Sequence, residues 1–250
     1  MMAYAQAIAH MLNLQLIHNQ ALLNEKYALV ITQENIQIKE LDHKSRKRTF
    51  TQGSLAVDLE KIDTTSPMGR CYKQPLLRSI GLKSGNDLPI NVLDTTAGYG
   101  QDAWLLASFG CNVTAIERNP IMHVLLHDAL ERIQDTKPQI AQNLTLIQQD
   151  SQHFLQQTID QQKHYDIVLI DPMFPEKRKT TQRKSMQYAR VIVGPDQDQD
   201  ALLPLALKVA TKRVAVKRPT QAPFLNNLKT VMQHQGKGFR FDVYPKAQYT

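Results

Sequence analysis

From residue 88 onward the chain alternates short apolar runs with longer helical stretches, and that rhythm narrows its possible folds more than any other feature. The pattern predicts strands at Ile90 to Asp94, Asn112 to Glu117, Leu144 to Gln148, Tyr165 to Asp171 and Arg213 to Lys217. Helices fall between them at Ala103 to Phe109, Pro120 to Gln134, Ser151 to Asp160 and Asp200 to Ala210. Strand–helix–strand units joined by right-handed crossovers build a doubly wound, mainly parallel sheet with helices on both faces. A further helix at Pro223 to Gln233 and a terminal strand at Gly238 to Tyr244 are expected to complete an α/β fold of the Rossmann-like kind.

The residues before this region read differently. Tyr4 to Leu23 reads as a loosely amphipathic helix, and Tyr27 to Ile31 and Ile36 to Leu41 as two strands of a hairpin turning through Thr32 to Asn35. A third strand is expected at Leu55 to Leu59, loop from Thr64 to Lys73, and a short helix at Gln74 to Ile80. Two units follow: residues 1–85 as a small N-terminal α/β unit and residues 86–250 as the Rossmann-like domain.

Ligands of open α/β sheets bind at the carboxyl ends of the strands, so the residues there carry the functional signal. Between the first sheet strand and its helix lies Asp94-Thr95-Thr96-Ala97-Gly98-Tyr99-Gly100-Gln101-Asp102-Ala103. Gly98 and Gly100 allow a tight turn and close backbone approach to a cofactor. Glu117, at the end of the next strand, stands where a carboxylate binds ribose hydroxyls. This much fits NAD or S-adenosylmethionine equally. Asp94 can meet a methionine ammonium, the four residues before Gly98 make a longer turn than a pyrophosphate site uses, and Asp150-Ser151 can hydrogen-bond an adenine amine. Those three features favour S-adenosylmethionine.

Asp171-Pro172-Met173-Phe174-Pro175 follows the apolar strand ending at Ile170. The carboxylate of Asp171 and the carbonyl of Pro172 can accept the two N–H groups of an exocyclic base amine, and Phe174 can stack on the base. Such an amine is a poor nucleophile until its lone pair is localised and aimed, so positioning and electrostatics supply the rate. The corner serves a guanine N2 or an adenine N6 alike, and a base is reached there only when unpaired or flipped out.

Hydrophobic residues make up 42% of the 250 and charged ones 21%, a globular balance that argues against disorder. The formal charge of +7 suits a polyanionic partner. Five cations, Lys177, Arg178, Lys179, Arg183 and Lys184, lie within nine positions directly after the Asp171 corner, where they can grip RNA phosphates. A second basic run, His43 to Arg48, with Lys44, Arg46, Lys47 and Arg48, has the same chemistry. These runs alone are also compatible with a non-enzymatic RNA-binding or ribosome-assembly protein. Cys71 and Cys111 suggest neither a disulfide framework nor a zinc site, and the eight histidines lack acidic or cysteine partners at ligand spacing, so no metal is expected. Met1 to Ile17 lacks the charged start and unbroken apolar core of a signal peptide, and a cytoplasmic location is expected.

Taken together, Asp94 to Ala103, Ile116 to Pro120, Leu169 to Pro175, Val193 to Asp196, Val216 to Pro219 and Lys237 to Tyr244 resemble the successive motifs of the ribosomal RNA small subunit methyltransferase J family. The resemblance spans roughly Ser54 to Tyr244. It implies a class I S-adenosylmethionine-dependent methyltransferase that modifies a guanine N2 amine of 16S rRNA, with that rRNA or a small-subunit precursor as partner. It places cofactor contacts on Gln101 and Asp102, on Glu117 and Arg118, on Asp150 and Ser151, and on Asp171. Gln101 stands where the family often has Arg, and Asp150 where it often has Ser.

Overall fold

The structure, a computed structural model, describes residues 2–17, 26–42, 50–85, 89–172 and 199–249. Five parallel strands form the centre of a seven-stranded sheet: β4 (Asn91–Asp94), β5 (Asn112–Glu117), β6 (Leu144–Gln148), β7 (Tyr165–Ile170) and β8 (Ala210–Pro219). Two antiparallel strands extend it, β10 (Phe239–Pro245) beside β8 and β9 (Met232–Gln235) at the edge. The order is β6-β5-β4-β7-β8-β10-β9, so strand succession reverses between β4 and β7. That switch point opens a crevice at the carboxyl ends of the strands.

The strands are apolar along nearly their whole length because helices cover both faces. Val92 and Leu93 of β4, and Ile167 to Ile170 of β7, are all buried. One face packs on α3 (Gln101–Ser108), whose Trp104 is fully buried, and on α4 (Pro120–Gln134). The other packs on α6 (Ser151–Asp160) and α7 (Leu202–Val209) around Leu155, Leu203 and Ala206. The short α5 (Pro138–Ala141) bridges α4 to β6.

N-terminal to the sheet lie α1 (Met2–Met11), the three-stranded antiparallel sheet β1 (Tyr27–Ile31), β2 (Ile36–Leu41) and β3 (Phe50–Leu55), and the short α2 (Pro75–Ser79). β2 docks on α4: Asp128 of the helix accepts the Ile36 amide at 3.2 Å, and Arg132 donates to the Val57 carbonyl at 2.7 Å. Ile8, Ile36, Ile38 and Leu55 consequently share a core with Trp104 and Leu125.

Four expectations from sequence are corrected. The third strand is Phe50–Leu55, not Leu55 to Leu59, because β2 pairs Leu41 with Phe50 and Ile38 with Leu55. Val57 and Leu59 are buried without joining a ladder. No helix occupies Pro223 to Gln233: Asn226 and Asn227 both take positive φ, 51° and 55°, which leaves only a 3-10 turn before β9. The first helix ends at Met11, and Asn13 just beyond it is left-handed, while residues 18–25 lie outside the described set. Finally, the helix expected over Asp200 to Ala210 starts as a 3-10 turn at Gln199–Ala201 and yields Ala210 to β8.

Candidate active site

The loop after β4 is stitched to both neighbouring strands. Thr95 N and its hydroxyl donate to Leu169 O of β7 at 3.0 and 2.9 Å, and Ala97 N donates to Ile116 O of β5 at 2.9 Å. Thr96 Oγ1 accepts the Asp171 amide at 2.6 Å, and the Ser151 hydroxyl donates to Thr95 O. The glycine loop, the Asp171 corner and the start of α6 are therefore one hydrogen-bonded assembly.

Gly98 and Gly100 serve it differently. Gly98 has φ 51°, and a Cβ there would have only Thr96 O, at 3.8 Å, as a neighbour. Its open side faces the cleft. Gly100, φ 68°, caps α3, and a Cβ would stand 2.5 Å from a methyl of the fully buried Leu126. The second glycine thus sets how closely α3 approaches α4.

Glu117 is 7% exposed, and its two oxygens accept the Gly98 amide at 2.9 Å and the Asn119 amide at 2.7 Å. A carboxylate is an acceptor of the kind that the hydroxyls of a vicinal diol need. Asn119 caps α4 by accepting from Ile121 N and Met122 N, and Asp150 caps α6 by accepting from His153 N. Helices α3, α4 and α6 all begin at the crevice, their positive dipole ends turned towards it.

An open cleft of about 560 Å³ results, lined by Thr95, Thr96, Gly98, Ile116, Glu117, Arg118, Asp150, Ser151, Gln152, Asp171, Pro172, Gln199 and Leu202. The structure brings Gly98, Glu117, Arg118, Asp150, Ser151, Asp171 and Pro172 of the predicted residues to it. Asp94, 2% exposed, sits beneath the loop with Thr96 N donating to its Oδ1 at 3.0 Å. Burial pushes its carboxyl up to about 7, and the nearby Asp102 and Asp171 add to the rise. Gln101 is exposed at the start of α3, outside the lining. Phe174, Lys177, Arg178, Lys179, Arg183, Lys184, Lys44, Arg46, Lys47 and Arg48 lie outside the described residues.

Lys217 on β8, within the Lys217-Arg218-Pro219 segment that the sequence places at the end of the fifth strand and on the substrate side, gains two partners here. Its Nζ donates to Asp171 Oδ2 at 2.8 Å and to Asp102 Oδ2 at 2.9 Å, and it lies over the rings of Phe239 and Phe241 at 5.5 and 5.9 Å. Burial opposes its charge, but the two carboxylates outweigh that and raise its pKa above the ordinary lysine value. Burial pushes the Asp171 carboxyl up to about 6, Lys217 drawing it down and Asp102 raising it further. Asp171 keeps 36% of its side-chain surface. Asp102 and Asp171 were each legible in the sequence; that Lys217 joins them, across 115 and 46 positions of chain, was not.

The residues present suit a nucleoside bearing an amino acid: a diol acceptor in Glu117, polar groups at the start of α6, helix amino termini for a carboxylate, and open space over Gly98. Residues 9–246 match the family described as "Putative SAM-dependent methyltransferase". Ribosomal RNA small subunit methyltransferase J of Aeromonas salmonicida is 38% identical over 252 residues, covering 98% of this chain and 94% of the relative. The chain belongs to the ribosomal RNA small subunit methyltransferase J family. Its cofactor is S-adenosylmethionine. The family member of Coxiella burnetii is 36% identical over 96% of this chain and 91% of its own length. A crystal structure of a SAM-dependent methyltransferase from Neisseria gonorrhoeae superposes with a TM-score of 0.68 at 24% identity, covering 97% of this chain and 91% of the other, which establishes the shared fold. Among the described residues no helix is long and apolar enough to cross a membrane.

Proposed function

We propose that this protein methylates the exocyclic N2 amine of a guanosine in 16S rRNA. The observation that carries the reading is that Asp171 and Pro172, at the end of β7, line the same cleft as Gly98, Glu117 and Asp150. The small-subunit rRNA relatives direct it to that RNA, and what the family resemblance implies, rather than the chemistry of the corner, directs it to guanine N2.

Bound S-adenosylmethionine supplies an electrophilic methyl group on a sulfonium sulfur. The protein's task is to hold the amine against it. Lys217 occupies Oδ2 of Asp171, which leaves Oδ1 to accept one N–H while the Pro172 carbonyl accepts the other. The nitrogen lone pair then points away from both acceptors, towards the methyl. A carboxyl with a pKa of about 6 is ionised at neutral pH, and Oδ1 is placed to take the proton that leaves the methylated nitrogen. Asp94, below the loop, balances the ammonium of the cofactor, and Glu117 holds its ribose. Phe174 stacks on the base, the cations from Lys177 to Lys184 and from Lys44 to Arg48 hold phosphates, and residues 1–85 form a substrate-recognition unit. The protein works in the cytoplasm, where its RNA is.

Mass spectrometry of 16S rRNA from a strain lacking the gene is expected to show one N2-methylguanosine missing. Loss of a methyladenosine instead would redirect the corner to adenine N6, and an unchanged modification pattern would reject the assignment.

A further inference from the structure

A second cleft, of about 640 Å³, opens where the segment around α2 crosses the outer strands β9 and β10, and is lined by Tyr72, Lys73, Arg78, Gly81, Lys83 and His234. Three of these residues, Lys73, Arg78 and Lys83, carry cationic side chains, and the Arg213 guanidinium lies behind Gly81. Gly81, with φ 75°, lets the Arg213 guanidinium lie against the backbone, since a Cβ there would stand 2.8 Å from its central carbon. Arg213 Nε and His234 Nδ1 are both buried without a hydrogen-bond partner. No carboxylate among the described residues pairs with Lys73, Arg78 or Arg213. Burial, with Arg78 and Arg213 beside it, holds the His234 ring below its ordinary pKa. A buried guanidinium nitrogen without an acceptor is costly, and an oxyanion supplies the missing partner.

The cleft lies beside the active site. Lys217 pairs with Phe241, and Phe241 with His234, so the three project from one face of the sheet at one level. Two strand spacings put His234 about 10 Å from Lys217. We propose that this cleft binds a backbone phosphate of the substrate RNA, flanking the nucleotide held at Asp171, with Arg213 and Arg78 donating to its oxygens. The proposal rests on the rRNA reading above, and it adds a contact outside the two basic runs already assigned to RNA.

The test uses the full chain as wild type, as a Lys73→Ala/Arg78→Ala double variant of exposed residues, and as Arg213→Lys. Binding of unmodified 16S rRNA transcript is measured across a salt series, S-adenosylhomocysteine binding by calorimetry, and methyl transfer to the same transcript. The double variant is expected to reduce the slope of log K against log salt by about 0.7 to 0.9, the contribution of one phosphate. Arg213→Lys, which keeps the charge and loses the planar fork, is expected to weaken RNA binding with little change of slope. S-adenosylhomocysteine affinity stays at the wild-type value in both. RNA affinity and slope equal to wild type in all variants, in an enzyme that methylates the transcript, would overturn the cleft and leave the reaction standing. Reduced slope in the double variant of a protein that transfers no methyl group to the transcript or to small-subunit precursor particles would uphold the cleft and remove the reaction.

Discussion

Lys217 Nζ lies 2.8 Å from Oδ2 of Asp171, so the carboxylate proposed to accept the base amine has one oxygen already engaged and its charge supported by a neighbour on β8. Without that ammonium, burial and the negative Asp102 act on Asp171 unopposed. Lys217→Met is therefore expected to move the acid limb of the kcat–pH profile to higher pH, because ionised Asp171 persists only at a higher pH. At neutral pH the rate should fall on the order of 10²-fold, with partial recovery in alkaline buffer. Lys217→Arg should restore most of the profile, and an acid limb that stays in place in Lys217→Met would show that the pair is only structural.

Gly98 and Gly100 predict separable effects. Gly98→Ala places its methyl over the cleft at the cost of a positive φ, about 1–2 kcal/mol of strain. S-adenosylhomocysteine affinity should fall further than thermal stability does. Gly100→Ala adds a clash with buried Leu126, and overpacking of that kind costs roughly a further 1–3 kcal/mol. Its main effect is expected in the melting temperature, measured by differential scanning calorimetry. Equal cofactor loss in both variants, with equal stability, would contradict the division of labour.

Asp94 imposes a pH dependence on stability. Its carboxyl is raised from the ordinary value to about 7 in the folded protein, so between about 4 and 7 the native state binds more protons than the unfolded one. The stability this group contributes is full below the unfolded pKa and is lost as pH rises through the folded one. The difference is on the order of a few kcal/mol, and Asp94→Asn should flatten that portion of the stability–pH curve. A ligand ammonium near Asp94 restores its ionisation. Calorimetry in buffers of different ionisation enthalpy should show proton release when S-adenosylhomocysteine binds near neutral pH, and none in Asp94→Asn.

Much of the sheet domain was legible because local and global signals agree there. β5, β6, α4 and α6 were read to their terminal residues, and in the structure the side chains of Asn119 and Asp150 cap the two helices. The strand expected at Leu55 to Leu59 failed because apolar residues mark burial, and Val57 and Leu59 are buried as irregular chain beside α4. The helix expected at Pro223 to Gln233 failed on two left-handed asparagines and on Thr230, whose hydroxyl donates to Val243 O and fixes the approach to β9. At the site, each strand-end residue was visible one strand at a time. The Asp102–Lys217–Asp171 cluster was not, since its members lie 115 and 46 positions apart and meet only when β7 and β8 pair beside α3.

Asp171 carries the proposed chemistry, so its replacement in the cell is the most direct test. A strain lacking the gene is complemented with wild type or with Asp171→Ala, and its 16S rRNA is digested and read by mass spectrometry. Wild type is expected to restore the missing N2-methylguanosine, while Asp171→Ala, present at the same level and binding S-adenosylhomocysteine, leaves it absent. Full methylation by Asp171→Ala would contradict the account.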